Sequence, residues 1–265
     1  MTRGLEDTDV SERAIDRLAY AHDASHYLLV PQSVAVPRSA TEVGGLMAEA
    51  LRLRRPVTFR SGGTSLSGQA QSSGMLVDTR RNFRGIEVLD EGRRVRVDPG
   101  ATVRQVNSRL AQYGFKLGPD PASEVACTLG GVIANNSSGM ACGTEFNAYR
   151  TIESMVLVLP NGTVIDTRGG DADDRLRLQE PAIHGGLLRL RDRVTGNAES
   201  VRIIEQQFSL KNTMGYSLNA FIDFVDPVDI LTHLLVGSEG TLAFIAEATL
   251  RTIPIRQAPP PGEYI

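Results

Sequence analysis

RSGGTSLSG, Arg60 to Gly68, runs straight out of a strand-like VTFR at residues 57–60. Gly62, Gly63 and Gly68 permit backbone angles that other residues resist. A loop of this kind can turn successive N–H groups toward an anion. Ser61, Thr64, Ser65 and Ser67 add hydroxyl donors, and Arg60 and Leu66 complete the segment. Chemically this is a cradle for a pyrophosphate. It is neither a P-loop, because no Gly-Lys-Ser/Thr follows, nor a G-x-G-x-x-G fingerprint. Glycine–serine runs also serve as flexible connectors, so the loop alone leaves both readings open.

The flanking sequence frames the loop as part of an α/β lobe. Ser39 and Glu42 have capping-box spacing, and Val43, Leu46, Met47, Ala50 and Leu51 then share one helical face. Pro56 stops that helix. Residues 9–20 read as a short amphipathic helix, followed by an extended YLLVPQSVAVP (27–37). Downstream, MLVD (75–78) is a strand, and IEVLD (86–90) and RRVRVD (93–98) form a hairpin across Glu91-Gly92. Pro99-Gly100 marks a lobe boundary. Thr102 and Gln105 cap a second helix with Val103, Val106 and Leu110 inward and Gly114 at its end. SMVLVLP and TVIDT pair across Asn161-Gly162. Residues 168–182 are charged and read as a surface loop, and 183–206 hold one or two helices. Asp226 and Pro227 suit N-cap and N1 of a helix through Leu235. TLAFIAEATLRTIP (241–254) is a last strand, and APPPGEYI (258–265) reads as a linker. Hairpins interrupt the alternation of helices and strands, which points to α+β lobes with mixed sheets.

Two further segments carry chemistry. DPASEVACTLGGVIANNSSG (120–139) is long, poor in charge and rich in small residues. Its TLGGVIA could start a helix whose free N–H groups face a ligand, or the small residues could serve a tight helix–strand junction. In HLLVGSEGTLAFIAEATLRTIP (233–254), Gly237 and Gly240 bracket Ser238-Glu239 just before a strand, as a plain turn also would.

Composition excludes several classes. The 265 residues carry a net charge of -3, which gives no electrostatic case for nucleic acid. The longest apolar runs, such as MVLVL at 155–159, are strand-length, so no transmembrane segment is expected. The N-terminus is mixed and unlike a signal peptide. Cys127 and Cys142 make neither a disulfide framework nor a four-cysteine cluster, and they read as buried, reduced thiols of a cytoplasmic protein. The sequons at Asn135 and Asn136 then read as coincidental. His22, His26, His184 and His233 lack ligand spacing, and GGDADD (169–174) lacks that of a calcium loop. No metal site is expected, and His233 reads as structural.

PRSATEV (37–43), RSGGTSLSG, DPASEVACTLGGVIANNSSG and VGSEGTLAFIAEATLRTIP together resemble one family, in its order and at its spacing. The chain, from about Pro31 to Pro254, is similar to the FAD-binding domain of the vanillyl-alcohol-oxidase (PCMH) type, shared by glycolate oxidase, D-lactate dehydrogenase and D-2-hydroxyglutarate dehydrogenase. DASHYLLVPQ (23–32), NNSSGMACGT (135–144) and KNTMGY (211–216) look like those of large bacterial flavin and iron–sulfur fusions.

The resemblance implies two α/β lobes with FAD between them. Lobe one would span about 31–99 and lobe two about 100–254, with a lead-in over 1–30 and a linker over 255–265. Arg60 and the Ser61 to Gly68 run would wrap the pyrophosphate. Pro119, Asp120, Pro121, Ala122 and Ser123 would line the isoalloxazine and ribityl side, as would Cys127, Thr128, Gly130 and Gly131 with Ala134, Asn135 and Ser137. Glu239 and Gly240 would close the pocket. The glycine loop has Thr64 and Ser65 where some relatives attach FAD to a histidine, so FAD is expected to be non-covalent. Lys211, Thr213 and Tyr216 either reach the flavin's reacting face or form a strand-edge loop, and Arg150 is a further candidate for cofactor contact. The implied reaction is oxidation of a D-2-hydroxy acid of the lactate, glycolate or 2-hydroxyglutarate class to the 2-keto acid, with hydride passing to flavin. No catalytic residue is assigned within this chain. The base, any metal and the substrate domain are expected beyond residue 265, with iron–sulfur modules in the full-length protein. Such an enzyme is cytoplasmic, with a peripheral membrane contact through its electron acceptor left open. The alternative is a stand-alone FAD-binding electron carrier. A nucleotide-sugar reductase shares the flavin fold, but DPASEVACTLGG and KNTMGY argue against it.

Overall fold

A computed structural model describes residues 8–212 and 215–255. The N-terminal part contains β1 (Asp9–Ser11), α1 (Ala14–Ala19), β2 (Ser33–Val36), α2 (Ala40–Leu53), β3 (Val57–Arg60) and β4 (Met75–Asp78). Its strands form a mixed sheet in the order β1-β2-β4-β3, parallel except for β1 against β2. Residues 9–11, expected to be helical, are instead this edge strand, with Asp9 opposite Val36. Helix α1 is shorter than expected and buries none of its residues. In α2, Val43, Leu46 and Ala50 are buried as the pattern predicts, while Leu51 is 58% exposed. The capping box there is half made. Ser39 accepts from the Glu42 N–H, but the Glu42 carboxylate reaches past Ser39 to the N–H of Arg38 at 2.9 Å.

The second part contains β5 (Ile86–Leu89), β6 (Arg94–Val97), α3 (Val103–Leu110), β7 (Phe115–Leu117), α4 (Leu129–Asn135), α5 (Ala148–Thr151), β8 (Ile152–Val158), β9 (Val164–Asp166), α6 (Ala172–Gln179), α7 (Pro181–Thr195), α8 (Ala198–Phe208), α9 (Ala220–Asp223), α10 (Pro227–Leu234) and β10 (Phe244–Pro254). The sheet runs β5-β6-β10-β8-β9, with β7 on the far end of β10, and every pairing is antiparallel. The β5–β6 hairpin therefore belongs to this sheet. By sheet membership the division falls between Asp78 and Ile86 rather than at Pro99-Gly100. The Thr102–Gln105 capping box is complete in both directions. Val95, Leu110, Leu129, Leu157, Leu235 and Leu250 are fully buried between this sheet and its helices.

Part of the expected 168–182 surface loop is α6, whose Ala172 and Leu176, one turn apart, face the core. Asp173 in it makes two tertiary contacts. Its carboxylate accepts from the N–H of Val228 at 3.0 Å, capping α10, and meets His184 Nε2 at 2.9 Å.

An aromatic seam joins the two sheets. Phe59 of β3 stacks on Phe244 of β10 with ring centroids 4.7 Å apart, and Phe83 meets Phe244 edge-on at 5.5 Å. Val43, Val158 and Ala246 complete the cluster. Helix α2 leans on the β8–β9 turn so closely that a Cβ at Gly44 would stand 2.8 Å from the Gly162 carbonyl oxygen. These contacts fix the two sheets relative to each other, and the site lies over their seam.

Candidate functional site

A cavity of about 700 Å³ opens where three segments meet. The glycine loop after β3 forms one wall, α4 and its flanks a second, and the turn before β10 a third. Phe59, Val57, Val132, Ala243, Phe244 and Ile245 give it an apolar side. This is the size and character of a small-molecule pocket, typically ~300–1,000 Å³ with a few polar groups on an apolar lining.

The glycine loop supplies the polar side. Gly63 takes φ +64, which favours glycine. Its carbonyl accepts from the N–H of Ala24 at 3.0 Å. Among the described residues, the N–H groups of Gly62, Gly63, Thr64 and Ser65 have no partner within the protein. A run of four such donors around a left-handed residue is an anion-binding arrangement. Gly62 also meets the second wall, since a Cβ there would stand 2.9 Å from Cys127 Cα.

At the start of α4 the tight-junction reading of the small residues fits better than the free N–H reading. Its first N–H groups are already taken, Leu129 by Ala101 O at 2.9 Å, Gly130 by Pro99 O at 3.0 Å and Gly131 by Ser61 Oγ at 3.2 Å. Small residues are needed here for close packing. A Cβ at Gly130 would stand 2.6 Å from Pro99 Cβ. The Thr128 hydroxyl, expected near a ligand, hydrogen-bonds the Ser61 hydroxyl and so ties the first two walls together.

The third segment closes the far end of α4. Gly237 N–H donates to Ile133 O at 3.1 Å and Glu239 N–H to Ala134 O at 2.8 Å, so both satisfy end carbonyls of that helix. Glu239 itself takes φ 53. Its carboxylate accepts from Asn135 Nδ2 at 2.7 Å and from the Gln69 side chain. Partial burial holds its carboxyl above the ordinary glutamate range against those two bonds, although the residue stands open to solvent at the cavity mouth. Burial likewise pushes the Cys127 thiol up. Among the described residues these two are the titratable side chains of the cavity wall, and no lysine or arginine lines it.

Ser61 to Ser65, Ser123, Cys127, Thr128, Gly130, Gly131, Ala134, Asn135, Ser137, Glu239 and Gly240 all line this one cavity. Eight expected residues do not: Arg60, Leu66, Ser67, Gly68, Pro119, Asp120, Pro121 and Ala122. Leu66 is 74% exposed. Gly68 lies under the ring of Tyr27. Asp120 turns away to bind the N–H groups of Ala141 and Cys142 at 3.0 and 3.1 Å. Gln69, Thr79, Pro99 and Thr241 line the cavity and were not expected. Thr79 and Pro99 follow strands β4 and β6, a position at strand ends that could have flagged them.

Of the remaining candidates, Tyr216 hydrogen-bonds Thr241 at the cavity wall at 2.7 Å. Lys211 donates to Gly139 O at 2.8 Å. Arg150 pairs with Asp223 at 3.4 Å and lines a separate polar cavity. Thr213 lies outside the described residues. His233 is buried, stacked on Phe224 at 3.9 Å and bonded through Nδ1 to Asp229 O, a structural role. Cys127 and Cys142 are buried, free thiols. Among the described residues, no cluster of His, Cys, Asp and Glu could hold a metal ion, and no helix is long and apolar enough to cross a membrane.

A family model described as an FAD binding domain matches residues 31–168. The chain is 34% identical over 255 residues to a D-2-hydroxyglutarate dehydrogenase of Pantoea ananatis, covering 93% of this chain and 25% of that protein. It is 29% identical over 246 residues to a D-lactate dehydrogenase of Archaeoglobus fulgidus, covering 89% of this chain and 43% of that protein. A solved alkyldihydroxyacetonephosphate synthase superimposes with TM-score 0.59 at 18% identity, covering 94% of this chain and 39% of that chain, and shares the fold. The chain thus spans about a quarter of the length of the first of these relatives.

Proposed function

The chain belongs to the FAD binding domain family, and from that premise we propose that its FAD sits non-covalently in the cavity over the sheet seam, as the cofactor-holding part of an oxidoreductase acting on a D-2-hydroxy acid. One observation carries the placement: four successive loop residues, Gly62 to Ser65, line the cavity with N–H groups that no atom of the described residues satisfies. A diphosphate would satisfy them. The apolar side with Phe59, Phe244 and Ile245 suits a flat aromatic ring system, so the residues present fit the cofactor. We take residues 31–254 as the FAD-binding unit.

When bound, FAD supplies the acceptor for a hydride and its electron pair. The chain's own residues bind and orient it. Ser61 and Thr128 brace the loop against α4, and Asn135 and Gln69 hold the Glu239 carboxylate at the mouth. The non-covalent assignment rests on the absence of histidine from the loop and on the raised Cys127 pKa, which keeps that thiol protonated and a poor nucleophile.

The substrate class is inferred from relatives named as D-2-hydroxyglutarate and D-lactate dehydrogenases. Oxidation of such an acid needs a base within hydrogen-bond reach of the hydroxyl and cations to clamp the carboxylate. Among the described residues the cavity wall has no lysine or arginine for the clamp, and its carboxylate, Glu239, is already engaged by Asn135 and Gln69. We therefore assign both to a further part of the protein. The same observation favours the second reading, an electron carrier without substrate chemistry. Two measurements test the proposal. Acid precipitation of FAD-loaded protein should leave all flavin in the supernatant. Anaerobic stopped-flow with D-lactate, glycolate and D-2-hydroxyglutarate should bleach the flavin of a full-length protein carrying this domain and not that of residues 1–265. No bleaching of the full-length protein by any of the three would leave the carrier reading.

A further inference from the structure

We propose that Arg60 is the buried counter-charge of the diphosphate cradle, a positioning residue that acts through the Gly62–Ser65 backbone without touching the ligand. The inference rests on the FAD placement above and goes beyond it by naming the source of positive potential.

Arg60 ends β3 and is 7% exposed. Its guanidinium lies directly behind the loop, since a Cβ on Gly63 would stand 2.7 Å from Arg60 Nε. Nη1 donates to Ala70 O at 3.0 Å and Nη2 donates to His22 O. These bonds tie the two ends of the loop's surroundings to the strand that launches it. Nε is enclosed and has no hydrogen-bond partner among the described residues. Among the described residues, no carboxylate forms an ion pair with Arg60. Asp23, the acid that most favours its charge, accepts at Oδ1 from Gln71 Nε2 at 2.7 Å and the Ser25 N–H at 2.8 Å, and its buried Oδ2 makes no hydrogen bond to Arg60 or to any other described residue. Burial presses the Arg60 pKa down, but an arginine stays protonated in a protein.

A buried cation without an ion-pair partner is costly. The bonds to Ala70 and His22 and the nearby Asp23 offset part of that cost, and an anion on the other side of the glycine loop would offset more of it. Among the described residues the cavity wall has no lysine or arginine, and its carboxylate, Glu239, has the wrong sign for a phosphate. Arg60 is thus the cation placed to balance a diphosphate on the loop. Keeping it behind the backbone leaves the loop's N–H groups as the contacting donors and spares the ligand a competing ion pair.

The test compares wild type with Arg60→Gln and Arg60→Lys. Binding of FAD and of riboflavin, which has no phosphate, is read by flavin fluorescence, and stabilisation by inorganic pyrophosphate is read by thermal shift. In Arg60→Gln, FAD affinity should fall ~10–100-fold, riboflavin affinity should hold within ~3-fold, and the pyrophosphate shift should vanish, the scale of one lost charge-assisted interaction. Arg60→Lys should recover part of the FAD affinity and keep its salt dependence. Equal losses for FAD and riboflavin would reduce Arg60 to a structural prop. Lysine and glutamine behaving alike, with folding confirmed by circular dichroism for the lysine variant, would remove the charge from the explanation. A wild type that binds neither FAD nor pyrophosphate would overturn the placement of the cofactor and this inference with it. A wild type that binds both, with an unaffected Arg60→Gln, would overturn the inference alone.

Discussion

Gly62→Ala is the sharpest probe of how the cavity is built. The added methyl carbon would lie 2.9 Å from Cys127 Cα and closer still to the Ala126 carbonyl oxygen. Carbon atoms rest about 3.5–4.0 Å apart, so the loop must retreat from α4's leading segment by roughly 0.6–1.1 Å. Both neighbours are backbone, and neither can swing aside. Gly62 has no positive φ, so the whole effect is steric. Overpacking of this kind costs about 1–3 kcal/mol, and for a chain of this size each kcal/mol lowers Tm by about 2–4 °C. A drop of about 4–8 °C follows for a mid-range cost of ~2 kcal/mol. The same retreat pulls the Gly62–Ser65 donors away from where a diphosphate would sit. Loss of one hydrogen bond to a charged group corresponds to a ~10–100-fold rise in FAD Kd. Differential scanning fluorimetry and FAD titration read the two effects, with Gly170→Ala as the control because a Cβ there meets nothing within 4 Å. A Gly62→Ala protein matching that control in both assays would show that the loop does not press on the Ala126–Cys127 backbone.

Asp78 is 1% exposed and accepts from the Tyr20 hydroxyl, the Arg80 N–H at 2.7 Å and Arg80 Nη2 at 3.1 Å. Burial alone would raise its pKa, but the Arg80 and Tyr20 bonds outweigh it and hold the carboxyl below the ordinary range. Its stabilisation is therefore complete above about pH 4, the unfolded value, and is lost as pH falls through the lower folded value. Asp78→Asn should cost about 2 kcal/mol at pH 7, less than a fully enclosed pair because Arg80 reaches solvent, and the acid slope in urea midpoints should flatten; an unchanged slope counts against this role. Glu239 shifts the opposite way, so its ionised form is disfavoured in the folded chain, and its contribution is lost as pH rises from about 4 through the raised folded value. Glu239→Gln keeps an acceptor for Asn135 and should raise Tm at pH 7 but not at pH 4; a gain of equal size at both values would exclude the carboxylate. Cys127 and Cys142, 5% and 1% exposed, should resist Ellman's reagent in the native protein and both titrate in denaturant; rapid native labelling would put a thiol on the surface.

Local signals in the sequence carried most of the fold. Thr102 and Gln105 decide α3 because both halves of the box lie within one turn. Ser39 and Glu42 have the same spacing, yet Glu42 caps Arg38 instead, because the chain entering α2 offers a competing N–H. Strand β1 could not be read from its three residues, since only pairing with β2 makes them a strand. Helix α6 was hidden by its charges, as Ala172 and Leu176 supply too short an apolar stripe. Pro99-Gly100 is a true local break and was legible as one, whereas the sheet to which β5 and β6 belong is set by β10, far downstream, and could not be read from their own residues. The site divides likewise. Glycine and hydroxyl residues brought by three motifs line one cavity. Asp120 and Gly68 belong to the same motifs but support turns behind the wall, and motif membership cannot separate the two faces of a loop.

Strand β10 has a bearing on how the chain is made. It is the middle of the second sheet, bonded to β6, β7 and β8, and it is the last element of the described chain. The Thr252 hydroxyl closes on Gly92 across 160 residues of sequence. During synthesis the first sheet can assemble once Asp78 has left the ribosome, but β5–β6 and β8–β9 then wait as two unjoined hairpins with open edges. Long-range closure of this kind is slow and leaves aggregation-prone surface exposed meanwhile. A nascent chain stalled before Phe244 should therefore resist protease only over its first ~80 residues, with protection of the rest arriving in one step as β10 emerges.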